Sequence, residues 1–169
     1  MAGTLIQKST TTITTSTSSV TLTGITENCV YVVFGNNVKG SIDNKAVRFR
    51  VSNSGTAKTT DYDVAYRRIR ASGSFQNISA EGQPYITIGG GAGTGTGEAC
   101  NFVIYLYNFY DSDQYSFGIF SPVILNSAPE LQANTGGFVH DVAESNNEIN
   151  FVLQDGTFES GTFTLYKQA

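Results

Sequence analysis

The sequence predicts an all-β fold, an antiparallel β-sandwich of jelly-roll type with about ten strands. Three observations predict it. Short runs rich in Val, Ile, Thr, Tyr and Phe either alternate apolar with polar residues or are apolar on both faces. No window of helical length carries a 3.6-residue apolar period. Clusters of Gly, Asn, Asp and Ser separate the runs at spacings of roughly 8–14 residues, the rhythm of a sandwich. There is no Pro-rich linker and no break in composition, so residues 1–169 read as one domain.

The elements come in this order. The N-terminal STTTITTSTSSVTLTG is almost entirely Ser and Thr, with Ile13, Val20 and Leu22 spaced through it. Such a composition suits a low-complexity stalk, but threonine also favours strands. A strand is predicted over 19–24, and residues 1–18 read as an extended N-terminal arm. CVYVVFGN (29–36) is next, then AVRFRVS (46–52), in which Val47, Phe49 and Val51 face inward and Arg48 and Arg50 outward. YDVAYRRIRAS (62–72), FQNIS (75–79) and YITIG (85–89) come after it. NFVIYLYNF (101–109) places Phe102, Ile104 and Leu106 on one face and Val103, Tyr105 and Tyr107 on the other. Both faces are apolar, which predicts a core on one side and a covering neighbour on the other. YSFGIFSPVIL (115–125) is interrupted by Gly118 and Pro122, a pattern that predicts a bulge or a sheet edge. GGFVHDVAE (136–144) has the weakest pattern. EINFVLQDG (148–156) and SGTFTLYKQ (160–168) close the chain as a hairpin, with Ile149, Phe151, Leu153, Phe163 and Leu165 inward.

The glycine-rich segment at 89–97 raises the question of a phosphate site. No three of its glycines have the dinucleotide spacing, and no Lys or Arg occurs between Arg70 and Lys167 to complete a P-loop. The next element along the chain is a strand and not a helix. The segment therefore reads as a long hairpin connection that exploits the freedom of glycine.

Composition narrows the function. Charged residues make up 14% of the chain, against about 25% in typical domains, so Ser, Thr, Asn, Gln and Gly must supply surface polarity. Such a surface is common in extracellular and virion β-proteins. Residues 1–70 carry nine basic and four acidic side chains, a net +5, whereas residues 71–169 carry Lys167 against ten acids, a net −9. The basic residues alternate with apolar ones, and the pI near 4.8 opposes polyanion binding. Nucleic acid is therefore not expected as a partner. Arg48, Arg50, Arg67, Arg68 and Arg70 become the candidate docking surface for an acidic partner or another copy of the chain, provided their strands lie side by side. No apolar run approaches the ~20 residues of a membrane span, and MAGTLIQKSTTT lacks the apolar core of a signal peptide. The expectation is a soluble protein made in a cytoplasm.

Tests for chemistry point away from catalysis. His140 is the only histidine, and no G-x-S-x-G elbow supplies a nucleophile for it. Cys29 and Cys100 fit no metal-binding spacing and read as buried free thiols. The pairs Asp61/Asp63 and Asp111/Asp113 resemble partial calcium ligand sets, but Tyr115 and Ser116 break the loop pattern, and both pairs read as acidic turns. The sequon Asn77-Ile-Ser79 has no secretion signal to give it meaning. The nine tyrosines mostly alternate within strands and read as packing residues. No enzyme activity, cofactor or metal is expected.

Read end to end, the chain resembles a family of small virion proteins of tailed bacteriophages, common among cyanophages. The segments that carry the resemblance are LTGI (22–25), YVVFGNNV (31–38), AVRFRVSNSG (46–55), DYDVAYRRIRASGS (61–74), NFVIYLYNF and INFVLQDGTFESGTFTLY (149–166), in that order. The closing SGTFTLY is the most telling, and the chain departs from the family in ending KQA where Gly often follows Tyr. The resemblance implies a β-sandwich that trimerises and acts in a virion, on the head or the tail. One sandwich consumes the sequence and leaves little for a shaft. A capsid decoration or cement protein, bound to the major capsid protein or other virion proteins, is therefore the first expectation. A tail or tail-fibre component that binds a host receptor or glycan is the alternative, with Tyr105, Tyr107, Tyr110 and Tyr115 as its candidate surface.

Overall fold

The computed structural model describes residues 3–169 and contains thirteen strands and no helix among them. They are β1 (Leu5–Ile13), β2 (Ser19–Thr23), β3 (Tyr31–Gly40), β4 (Lys45–Asn53), β5 (Thr56–Ala57), β6 (Tyr62–Arg70), β7 (Phe75–Gln83), β8 (Ile86–Ala92), β9 (Cys100–Tyr107), β10 (Ser116–Leu125), β11 (Leu131–His140), β12 (Glu148–Leu153) and β13 (Phe158–Gln168). Every pairing is antiparallel. Eight strands form a large sheet in the order β1-β13-β3-β9-β10-β11-β6-β7. The small sheet runs β2-β12-β4-β5, with β8 also paired to β4. The fold is thus an antiparallel β-sandwich.

Alternation builds the core. The inward residues of the small sheet, among them Leu22, Val47, Phe49, Val51, Ile149 and Phe151, meet Tyr31, Val33, Phe102, Ile104, Leu106, Phe138, Phe163 and Leu165 of the large one. Aromatic rings stitch the layers together. Phe151 lies 5.6 Å from Phe102 and 5.1 Å from Phe163, and Phe49 lies 5.0 Å from Phe138. Each such pair contributes about 0.5–1.5 kcal/mol beyond its buried area.

The structure departs from the sequence pattern in six places. The closing runs are no hairpin, because β12 lies in the small sheet and β13 in the large one, and the glycine-rich connection likewise crosses between sheets, from β8 on β4 to β9 between β3 and β10. Residues 5–13, predicted as part of an arm, form the edge strand β1 on β13, with Thr10 and Thr164 hydroxyls 2.9 Å apart across the pair; Met1 and Ala2 of that predicted arm lie outside the described residues. The strand ending at Gly89 continues through Gly91, so part of the glycine run is sheet and not connection. The run with Gly118 and Pro122 is neither bulged nor an edge, because β10 lies between β9 and β11 and keeps one register along each. Gly118 is needed there: a β-carbon would stand 2.3 Å from the ring of Phe138 on β11. Lastly, β11 begins at Leu131, five residues before the predicted run.

Candidate interaction surface

The strands β3, β9, β10 and β11 lie side by side in the large sheet, and Lys39 is the only Lys, Arg, Asp or Glu among them. In β10 every second residue is buried, and the alternating partners are Phe117, Ile119, Ser121 and Val123. Phe117, Ile119 and Val123 are exposed by 43%, 49% and 46%, whereas the outer face of an antiparallel sheet is ordinarily polar. Register extends this ridge to both sides: Ile119 faces Tyr105 and Gly137, and Val123 faces Asn101 and Ala133. Val103, Leu131 and Val139 complete an uncharged apolar face. The predicted cover over β9 is absent from the single chain, where Tyr105 is exposed.

The face has relief. The row from Ile119 continues through Gly137 on β11, Ala65 on β6 and Ser79 on β7, all small. Beside the ridge they leave a groove of about 310 Å³, walled by Phe117 and Val139 on the ridge side and bordered by the carboxylates of Asp63 on β6 and Glu81 on β7 at its far side. A second hollow of about 240 Å³ lies between Tyr105, Val103, Ile119 and Thr135. A ridge of large apolar side chains next to a trough of small ones can interlock with a surface of the same shape.

The five predicted arginines are divided among three settings. Arg48 and Arg50 stand on β4 in the small sheet. There the Arg48 guanidinium lies 3.7 Å from the centre of the Tyr85 ring, and Arg50 Nε donates to the Pro84 carbonyl at 2.9 Å. Arg67 projects from the outer side of β6 onto Phe75, 4.5 Å from its ring centre. Arg68 and Arg70 line a polar cleft where β8 packs against β6, β10 and β11, and Arg70 Nη1 is 3.8 Å from Glu130. Sequence reasoning missed the uncharged face as a unit, although the signal was present. Between 107 and 140 the only Lys, Arg, Asp or Glu residues are Asp111, Asp113 and Glu130, and all three lie between strands.

The other candidates have structural settings. His140 is buried, its ring 4.9 Å from that of Tyr62 and tilted 38° to it, and burial holds its imidazole below its ordinary pKa. Its nearest acid is Glu144, whose other carboxylate oxygen accepts from Lys58 at 2.7 Å. Asp111 accepts from Asn28 and from the Asp113 N–H, a turn as expected, whereas Asp63 lies within β6 and accepts the Gly82 N–H of β7 across the sheet, so that pair is not a turn. Among the described residues no group of three or more His, Cys, Asp or Glu side chains could share a metal ion. Cys29 and Cys100 are free thiols, and burial pushes Cys100 up to about 12. Tyr31, Tyr62 and Tyr66 serve the core, as the pattern predicted, but Tyr105, Tyr110 and Tyr115 are exposed. No protein-family model matches the chain, and no curated protein matches it either.

Proposed function

We propose that the protein is a structural subunit that assembles with copies of itself through the outer face of its large sheet, and that it acts in a phage virion as a capsid decoration or cement protein. The observation that carries the assembly is the uncharged ridge of Phe117, Ile119 and Val123 beside the trough of Gly137, Ala65 and Ser79. Exposed apolar area of this kind marks an interface. A charge placed against the ridge would be buried unpaired, so the partner that fits the ridge is an equally uncharged one, and β9, β10 and β11 of a second copy present it; the charges of Asp63, Glu81 and Arg67 stand at the rim, on β6 and β7. The virion setting rests on the resemblance carried by the ordered segments from LTGI to SGTFTLY. Arg48 and Arg50, on the other sheet, stay available for an acidic partner such as a capsid subunit.

Sedimentation equilibrium tests the assembly. The wild-type chain is expected to form a trimer, and Ile119→Lys to give an 18.1 kDa monomer with unchanged strand content. A wild-type chain that sediments as a monomer at micromolar concentration would overturn this reading. The virion role is tested by copy number against the major capsid protein in purified particles. Comparable numbers support a decoration protein; a far smaller number moves the chain to the tail. That second reading, a receptor-binding tail component, is favoured by one observation, the polar cleft.

A further inference from the structure

The glycine run lines the cleft that the arginines enter. On β6 the residues Tyr62, Val64 and Tyr66 point into the sandwich, and the same alternation continues to Arg68 and Arg70. Their partners on β11 are Asn134 and Gln132. The interior therefore turns from aromatic to polar at this end. Across from it, β8 bulges between Thr87 and Gly91 against β4, and Gly89, Gly90 and Gly91 form the opposing wall. The glycines allow the approach: a β-carbon on Gly90 would stand 2.1 Å from Gln132 Nε2, and one on Gly91 would stand 2.0 Å from the Asn44 carbonyl carbon. The cleft measures about 410 Å³, within the ~300–1,000 Å³ of small-molecule sites.

Its walls offer donors in excess. Gln132 is 3% exposed and its Nε2 has no hydrogen-bond partner. Arg68 Nε is likewise buried and unpartnered, while its Nη1 donates to Gln76 at 3.3 Å. Asn126 is already engaged: its Oδ1 accepts the N–H groups of Ala128 and Glu130, and its amide turns toward the Glu130 carboxylate. No carboxylate lines the cleft, and Glu130, just outside it, faces Arg70 at 3.8 Å and not Arg68. Buried donors without acceptors cost free energy that an oxygen-rich anion would recover.

We propose that this cleft binds a small ligand bearing an oxyanion, held by the guanidinium groups of Arg68 and Arg70, with the Gln132 amide donating to one of its remaining oxygens. This inference does not rest on assembly through the outer face or on the decoration role, since it uses the inner end of β6. The oxyanion has two sources, the carboxylate of an acidic sugar or a free inorganic ion. The spare volume and the flanking Asn44, Gln154 and Thr87 suit the hydroxyls of a sugar.

The test is a nuclear magnetic resonance titration of the full-length protein at constant ionic strength, with sodium glucuronate, sodium sulfate and glucose as probes. Saturable shifts in the Gly89, Gly90 and Gly91 amides and the Gln132 side-chain amide are expected with glucuronate, weaker with sulfate, and absent with glucose. Arg68→Gln should weaken glucuronate binding about tenfold or more. Arg50→Gln removes the same charge outside the cleft and should leave binding unchanged. Sulfate that binds as tightly as glucuronate would assign the site to an inorganic oxyanion, still on the same arginines. The proposal is overturned if neither anion saturates in the millimolar range, or if Arg68→Gln binds like the wild type. Gly90→Ala supplies a second variant, because its methyl group displaces Gln132 without changing charge and should also abolish the shifts.

Discussion

The ring of Phe102 lies over the α-carbon of Gly35, its antiparallel partner on β3, with ring carbons 2.2 Å from where a β-carbon would stand. Phe138 treats Gly118 in the same way on the β10–β11 pair. In both cases the missing side chain lets a phenyl ring lie flat on the sheet, and Phe102 then reaches Phe151 of the opposite sheet. Gly35→Ala should therefore cost about 1–3 kcal/mol, read as a lower denaturant midpoint at unchanged slope. In the double variant Gly35→Ala/Phe102→Leu the two costs should fail to add, because both act on one space. A wild-type midpoint for Gly35→Ala would mean that the ring is elsewhere.

His140 makes stability depend on pH. Burial lowers its pKa and outweighs the opposing pull of Glu144, Asp61 and Asp141; Lys58 adds to the lowering. The folded chain keeps the ring neutral where the unfolded chain takes up a proton, which begins near pH 6.5. The unfolded state then binds more protons, so stability falls as pH drops below about 6.5 and is unaffected by this group above it. His140→Gln should flatten the stability profile between about pH 7 and 5, measured by chemical denaturation at each pH. An unchanged acid slope in that variant would place the titrating group elsewhere.

The fold was legible because the sandwich writes itself as alternation. Val47, Phe49 and Val51 against Arg48 and Arg50 told inside from outside, and the structure keeps that assignment. The errors have physical causes. Residues 5–13 are mostly polar because β1 is an edge strand with little to bury. Leu131 to Thr135 hid the start of β11 because Gln132 and Asn134 are polar residues turned inward, with Gln132 at the cleft. The same inversion concealed the site. A search for a basic residue near the glycines in sequence finds none, whereas β6 brings Arg68 and Arg70 to them across the sandwich. The outer face was half legible: β9 showed two apolar sides, but only the strand order shows that β10 and β11 extend the same surface.

Tyr62 closes the turn between β4 and β6. Its hydroxyl accepts the Val51 N–H at 3.0 Å and donates to the Lys58 carbonyl at 3.1 Å, and burial raises its pKa well above the ordinary phenol range. Tyr62→Phe keeps the ring against His140 but leaves the Val51 N–H buried without that acceptor. A loss of about 1–3 kcal/mol is expected. The local readout is hydrogen exchange, in which the Val51 amide should lose protection beyond the global change. Equal loss at all core amides would make the hydroxyl's role a general one.

The two thiols should separate by reactivity. Cys29 is half-buried before β3, whereas Cys100 is fully buried, and its pKa of about 12 leaves almost no thiolate at neutral pH. Ellman's reagent should label Cys29 first and Cys100 only as fast as the β8–β9 corner opens. Cys29→Ser should abolish the early phase alone. Cys100 Sγ lies 3.6 Å from where a β-carbon on Gly89 would stand, so the cleft wall and the thiol share one piece of backbone. A ligand that binds only the closed cleft must make that opening rarer. Glucuronate should therefore slow the late phase and leave the early one unchanged. A late phase insensitive to glucuronate, in a protein shown to bind it, would mean that Cys100 is reached by a route that leaves Gly89 in place.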